Sequence, residues 1–95
     1  MKYTKQYQND TWLYNVWSNE DHSNYILIAV FPGVMWQDVA IQITSGEVEI
    51  LRRSEDEFTE FAKKIVEERE IQTIKQRRIE SKIKHLSVDE IEYNQ

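Results

Sequence analysis

The run Tyr25-Ile26-Leu27-Ile28-Ala29-Val30-Phe31 is apolar or aromatic at all seven positions. Side chains along a strand point alternately to the two faces of a sheet, so this run reads as a central strand buried on both sides. Pro32-Gly33 ends it, because Pro donates no ladder hydrogen bond and Gly accepts positive φ. Upstream, residues 11–17 alternate, with Trp12, Tyr14 and Val16 on one side and Leu13 and Trp17 on the other, a β-favouring pattern. A polar loop of turn-forming residues, 18–24, separates the two. Downstream, Val39, Ile41 and Ile43 alternate through residues 39–44. Ser45-Gly46 then reads as a two-residue hairpin loop, and residues 47–51 return with Val48 and Ile50 inward. Residues 1–10 hold Tyr3 and Tyr7 without a period and read as an arm.

The only Pro and both Gly residues lie before residue 47, so nothing further on breaks a helix. Ser54 and Glu57 form the S-x-x-E of a capping box, and Glu55, Asp56 and Glu57 favour the positive end of the helix dipole. Phe58, Phe61, Ala62, Ile65 and Val66 follow as an apolar stripe wide enough to sit on a sheet. Ile79, Ile83 and Leu86 continue that side, but Ile71 and Ile74 fall opposite it at helical spacing. A second box at Ser87 and Glu90, stapled by Leu86 and Ile91, predicts a short terminal helix from Val88, with the long one ending near His85. An unbroken helix over 55–85 would run about 46 Å, against a radius of gyration of about 12 Å for a domain of this size. The rod must fold back near residues 69–72 or meet another chain.

The expected fold is α+β: a four-stranded antiparallel β-meander covered by a C-terminal helix that continues into a second charged helical segment. It forms one domain over 1–95, with an arm (1–10), a sheet (11–51) and a helical region (54–93). One helix covers one face of the central strand. The other face needs the arm, the second helical segment or a partner subunit. Ile71, Ile74, Ile79 and Ile83 are the residues through which a homo-oligomer would form.

With 40 % apolar residues and 31 % charged, the chain has a core and a well-solvated surface. It holds no cysteine, which removes disulfides, thiolate metal sites and cysteine nucleophiles and fits a reducing cytoplasm. The first twenty residues show no leader-like apolar core, and no apolar run approaches the roughly 18 residues of a membrane span. His22 and His85, the only histidines, stand in no metal-binding spacing, and the chain has neither a P-loop nor a nucleophile elbow. Glu47 and Glu49 share a face of the expected hairpin and read as charged sheet surface rather than an acid/base pair. The expectation is therefore no catalytic residue, cofactor, metal or small-molecule substrate.

Charge layout points instead to binding. Residues 55–68 hold six acids against Lys63 and Lys64, residues 69–85 hold six cations against Glu70 and Glu80, and Asp89, Glu90 and Glu92 follow. A net charge of −5 disfavours a general nucleic-acid binder and suits a protein partner. The acidic residues Glu55, Asp56, Glu60 and Glu67 could imitate nucleic acid toward a basic host protein. Trp36, with Met35 beside it, is a second candidate contact, whereas Trp12 reads as core. Heavy use of Ile, Asn, Gln and Lys suggests an AT-rich genome of the kind phages and mobile elements carry. The expected function is thus a small inhibitor or modulator of a host protein, such as a defence nuclease. The alternative is a nucleic-acid-binding regulator acting through Lys75, Arg77, Arg78, Lys82 and Lys84 on a basic helix.

Overall fold

A computed structural model of the chain describes residues 1–31 and 37–94. In it Tyr25–Phe31 is β3, paired antiparallel on one edge with β2 (Tyr14–Ser18) and on the other with β4 (Gln37–Ile43). β1 is Lys2–Asn9, β5 is Ile83–His85 and β6 is Glu90–Tyr93. The six strands form one antiparallel sheet in the order β4-β3-β2-β1-β6-β5, curled into a half-barrel. The helices are α1 (Ser45–Arg53), α2 (Glu55–Glu67) and α3 (Gln72–Lys75), and a 3-10 turn at Glu80–Lys82 leads into β5. None is long and apolar enough to cross a membrane.

β3 is buried on both faces, and each face has its own cover. Tyr25, Leu27 and Ala29, with Tyr14, Val16, Val39, Ile41 and Ile43, pack under Val48 of α1, Phe58, Ala62 and Ile65 of α2, and Ile74 of α3. Ile26 and Ile28, with Trp17 and Ala40, meet Tyr3, Ile91 and Tyr93 from the far strands, and Ile79. The second cover is thus the sheet's own far end, brought round by the curl. A β-bulge between Lys5 and Tyr7 lets β1 serve both layers. Its extra residue reverses the alternation, so Tyr3 points into the half-barrel while Tyr7 packs on the helical side, 5.9 Å from the Tyr14 ring.

Several expectations fail here for identifiable reasons. The arm is a strand, because Tyr3 and the bulged Tyr7 each find a buried layer. The hairpin at Ser45-Gly46 is instead the start of α1. The Thr44 hydroxyl accepts from the Glu47 N–H at 3.1 Å and the Glu47 carboxylate from the Thr44 N–H at 2.8 Å, a complete capping box that outweighs the weak alternation of residues 47–51. Strand β2 begins at Tyr14, not Thr11. The terminal helix is a β5–β6 hairpin: Glu90, Ile91, Glu92 and Tyr93 alternate, and the inward Ile91 and Tyr93 are buried beside β1. The sheet therefore has six strands, not four: β1–β4 form a meander, and the chain then crosses over so that the β5–β6 hairpin pairs beyond β1.

The Ser54 cap forms in part, because the Glu57 carboxylate turns to Arg53, and the expected second charged helical segment shrinks to the four residues of α3 followed by the 3-10 turn and β5. Ser54 caps α2 by accepting from the Glu57 N–H, while its own N–H closes α1 on the Ile50 carbonyl. The long rod does not form, since α2 ends at Glu67 and Ile71 is extended. The described residues have a radius of gyration of 12.4 Å.

The returning segment also closes the half-barrel against the free edge of β4. Ile79 donates its N–H to the Ala40 carbonyl at 2.7 Å, and the Glu80 carboxylate accepts from the Ala40 N–H at 3.2 Å. Arg77 donates to the Gln42 carbonyl at 2.9 Å and pairs with Glu47 at 2.7 Å. An otherwise open strand edge is thereby blunted.

Phe58 is fully buried whereas Phe61 is half-buried, so Phe58→Ala is expected to cost about 3–5 kcal/mol in urea denaturation. Phe61→Ala should cost less, and the reverse ranking would place α2 on another face. Burial alone would raise the Glu47 carboxyl, but hydrogen bonds from Arg77 and the Thr44 N–H outweigh it and hold it below its ordinary value of 4.5. The unfolded chain thus takes up this proton more readily, so the contribution is present above pH 4.5 and lost as pH falls below it. Glu47→Gln is expected to cost about 1–3 kcal/mol at neutral pH. That gap should shrink on acidification, and a gap constant with pH would contradict the assignment.

Candidate functional site

Among the described residues, one tryptophan, Trp12, is exposed, at 50 %. It sits in the turn between β1 and β2, where the Asn9 side chain accepts from the Trp12 N–H at 2.9 Å. Such Asx contacts are a local means of reversing the chain. The next residue, Leu13, has φ of 55°, a left-handed conformation that costs a non-glycine residue about 1–2 kcal/mol. The Leu13 carbonyl is held by the Val30 N–H at 2.9 Å. The strained turn leaves Leu13 half-buried and the indole of Trp12 in solvent.

Beside Trp12 runs a groove of about 410 Å3 between this turn, the end of β3 and the C-terminal half of α2. Leu13, Ala29, Val30, Ala62 and Val66 make its floor, and Trp12, Lys63 and Glu67 stand at its rim. The Lys63 ammonium lies 4.0 Å from the centroid of the Trp12 ring and 3.6 Å from the Glu60 carboxylate. Glu67 has no ion pair among the described residues. The rim therefore combines an aromatic face, a cation already on that face, and exposed carboxylates.

Of the acidic residues expected to meet a partner, Glu67 lines this groove and Glu60 reaches it only through Lys63. Glu55 accepts from the Asn9 side chain at 3.0 Å, in the same turn region, and Asp56 is exposed in the first turn of α2. Trp36 and Met35 lie outside the described residues. Trp12, which the sequence places with the core, is half exposed instead. The preceding Asn9-Asp10-Thr11, all turn formers, was the signal against that assignment.

The cations of the nucleic-acid alternative do not share a helix. Arg77, Arg78 and Lys82 line a second groove of about 750 Å3 with Gln42 and Tyr93, but much of their charge is matched. Arg77 pairs with Glu47, Arg78 with Glu70 at 3.0 Å and with Glu80, and Lys75 stands 3.8 Å from Glu70. Lys84 is exposed on β5. Of the four isoleucines assigned to self-association, Ile74 and Ile79 are buried and Ile83 half-buried within this chain, leaving Ile71 exposed. Glu47 and Glu49 lie on α1 rather than side by side on a strand, and Glu47 is engaged by Arg77. His22 occupies a positive-φ turn position and shares a 2.8 Å hydrogen bond with the Ser18 hydroxyl. Among the described residues no group of three or more His, Asp or Glu side chains is placed to hold a metal ion.

No family model, curated protein or solved structure matches this chain.

If Trp12 is presented rather than packed, Trp12→Ala should change unfolding free energy by under about 1 kcal/mol. Trp17→Ala, in the half-barrel interior, should cost about 3–5 kcal/mol. A loss near 3 kcal/mol for Trp12 would make it a core residue after all.

Proposed function

We propose that this chain is a non-enzymatic protein-binding domain that docks the basic surface of another protein through α2 and the Trp12 groove. The observation that carries the reading is the half-exposed indole, held out by a strained turn at the mouth of an apolar groove. Tryptophan is over-represented among residues that dominate binding energy, and exposed apolar clefts rimmed by polar groups mark contact sites. Charge sets the partner's sign. Glu55, Asp56, Glu57, Glu60 and Glu67 are all exposed on α2, so a complementary surface is basic. Proteins that grip nucleic-acid phosphates offer such surfaces. A host defence nuclease inhibited by an acidic phage or mobile-element product is the member of that class we favour. The matched charges of Arg77 and Arg78 weigh against nucleic acid as the ligand.

The test is affinity capture from the source cell with the parent chain, Trp12→Ala and Glu60→Lys/Glu67→Lys. A basic protein should be held by the parent. Either variant should weaken that complex by about tenfold or more, as expected for an interface anchor. Retention of nucleic acid by the parent, or of the same protein by both variants, would overturn the proposal.

A further inference from the structure

We infer that the partner enters the Trp12 groove with an arginine side chain, which displaces Lys63 from the indole face. This rests on the protein-binding reading above and names the chemistry of its anchor. The groove already holds a cation on its aromatic wall, since Lys63 sits over Trp12 well inside the roughly 6 Å at which such contacts act. The chain's own lysine shows what the site accepts.

Lys63 is weakly held there. Its carboxylate partner Glu60 is 75 % exposed at 3.6 Å, and a pair so open to water contributes little. Its ammonium is compact and strongly hydrated, and so gains less from an aromatic face than a guanidinium does. An arginine fits each part of the site. Its planar guanidinium can stack on Trp12, and its methylene stem can lie along the floor made by Leu13, Val30, Ala62 and Val66. Glu67 on the rim, with no ion pair of its own among the described residues, can take the guanidinium edge in a forked hydrogen bond. Lys63 then swings into solvent. A purely apolar side chain would fill the floor but leave the rim carboxylates unmatched.

The probe is a short capped peptide, acetyl-Gly-Arg-Gly-amide, compared with its lysine and leucine counterparts. Each is titrated into the full 15N-labelled chain while the Trp12 indole N–H resonance is followed. The arginine peptide should shift that resonance saturably, with a dissociation constant in the millimolar range, and more tightly than the lysine peptide. Lys63→Met keeps the stem and removes the competing charge, so it should tighten arginine binding roughly two- to fivefold, the equivalent of an exposed cation–π contact. Glu67→Gln should weaken it.

The inference is overturned if the leucine peptide moves Trp12 as strongly, or if Lys63→Met leaves arginine binding unchanged or weaker. It is equally overturned if the arginine peptide produces no Trp12 shift at tens of millimolar. A Trp12-dependent protein partner without arginine preference sinks this inference alone. An arginine-dependent Trp12 shift without any Trp12-dependent partner sinks only the broader reading.

Discussion

A strand that is apolar on both faces cannot be satisfied by one layer of helix. Tyr25–Phe31 imposes that condition, and the architecture follows from meeting it twice within one short chain. The helical side is covered conventionally, by an apolar stripe on α2 and the shorter α1. The other side is covered by curling the sheet until Tyr3, Ile91 and Tyr93 face Ile26 and Ile28. Curling needs length on the far side of β2, which β1 and the β5–β6 hairpin supply, and it needs a local change of alternation, which the bulge after Lys5 supplies. The β4 edge of the curled sheet is in turn covered by the segment around Ile79, which leaves less of it unpaired.

That closure engages two of the cations that stand out in the sequence, Arg77 and Arg78. Arg77 bridges Glu47 and the Gln42 carbonyl, and Arg78 is flanked by Glu70 and Glu80. Arg77 ties the returning segment to β4 and to the start of α1, whereas Arg78 braces that segment on itself. A run of positive charge read along a chain is silent about which of its members will meet carboxylates brought from elsewhere by the fold. Here the fold pairs Arg77 and Arg78 and leaves Lys82 and Lys84 exposed.

What was legible in the sequence was short-range or strongly periodic. β3, the Ser54 cap and the apolar stripe of α2 are visible without tertiary information, whereas the misphased Ile71 and Ile74 leave open whether the helix breaks or a partner chain meets it. The errors fall where two local codes compete. Ser45-Gly46 suits a hairpin, yet Thr44 and Glu47 around it form a capping box. Ser87 and Glu90 suit a capping box, yet Glu90, Ile91, Glu92 and Tyr93 alternate like a strand. In the first case the box wins because both of its hydrogen bonds can form at once. In the second the strand wins because β1 stands beside it with Tyr3 to pair with Ile91. That neighbour is distant in the chain and invisible to a local pattern. The same holds for the candidate site: the carboxylates Glu60 and Glu67 stand out as charge in the sequence, whereas the exposure of Trp12 is hidden by an alternation that the Asn9 turn interrupts.

Leu13 links this fold to the proposed site. A bulky apolar residue in the left-handed region is a cost that a chain can shed by substituting Gly or Asn at that position. Here the strain is sustained by two fixed hydrogen bonds, Asn9 to the Trp12 N–H and Val30 N–H to the Leu13 carbonyl. Folding alone has little use for the result, since the turn leaves the largest side-chain type half in solvent while its neighbour lines a groove. Backbone strain of this kind concentrates where geometry serves binding. The Lys63 ammonium on the exposed indole fits that view, because it shields the aromatic face without filling the apolar floor beside it. A surface protected in that way remains available to a better-matched cation.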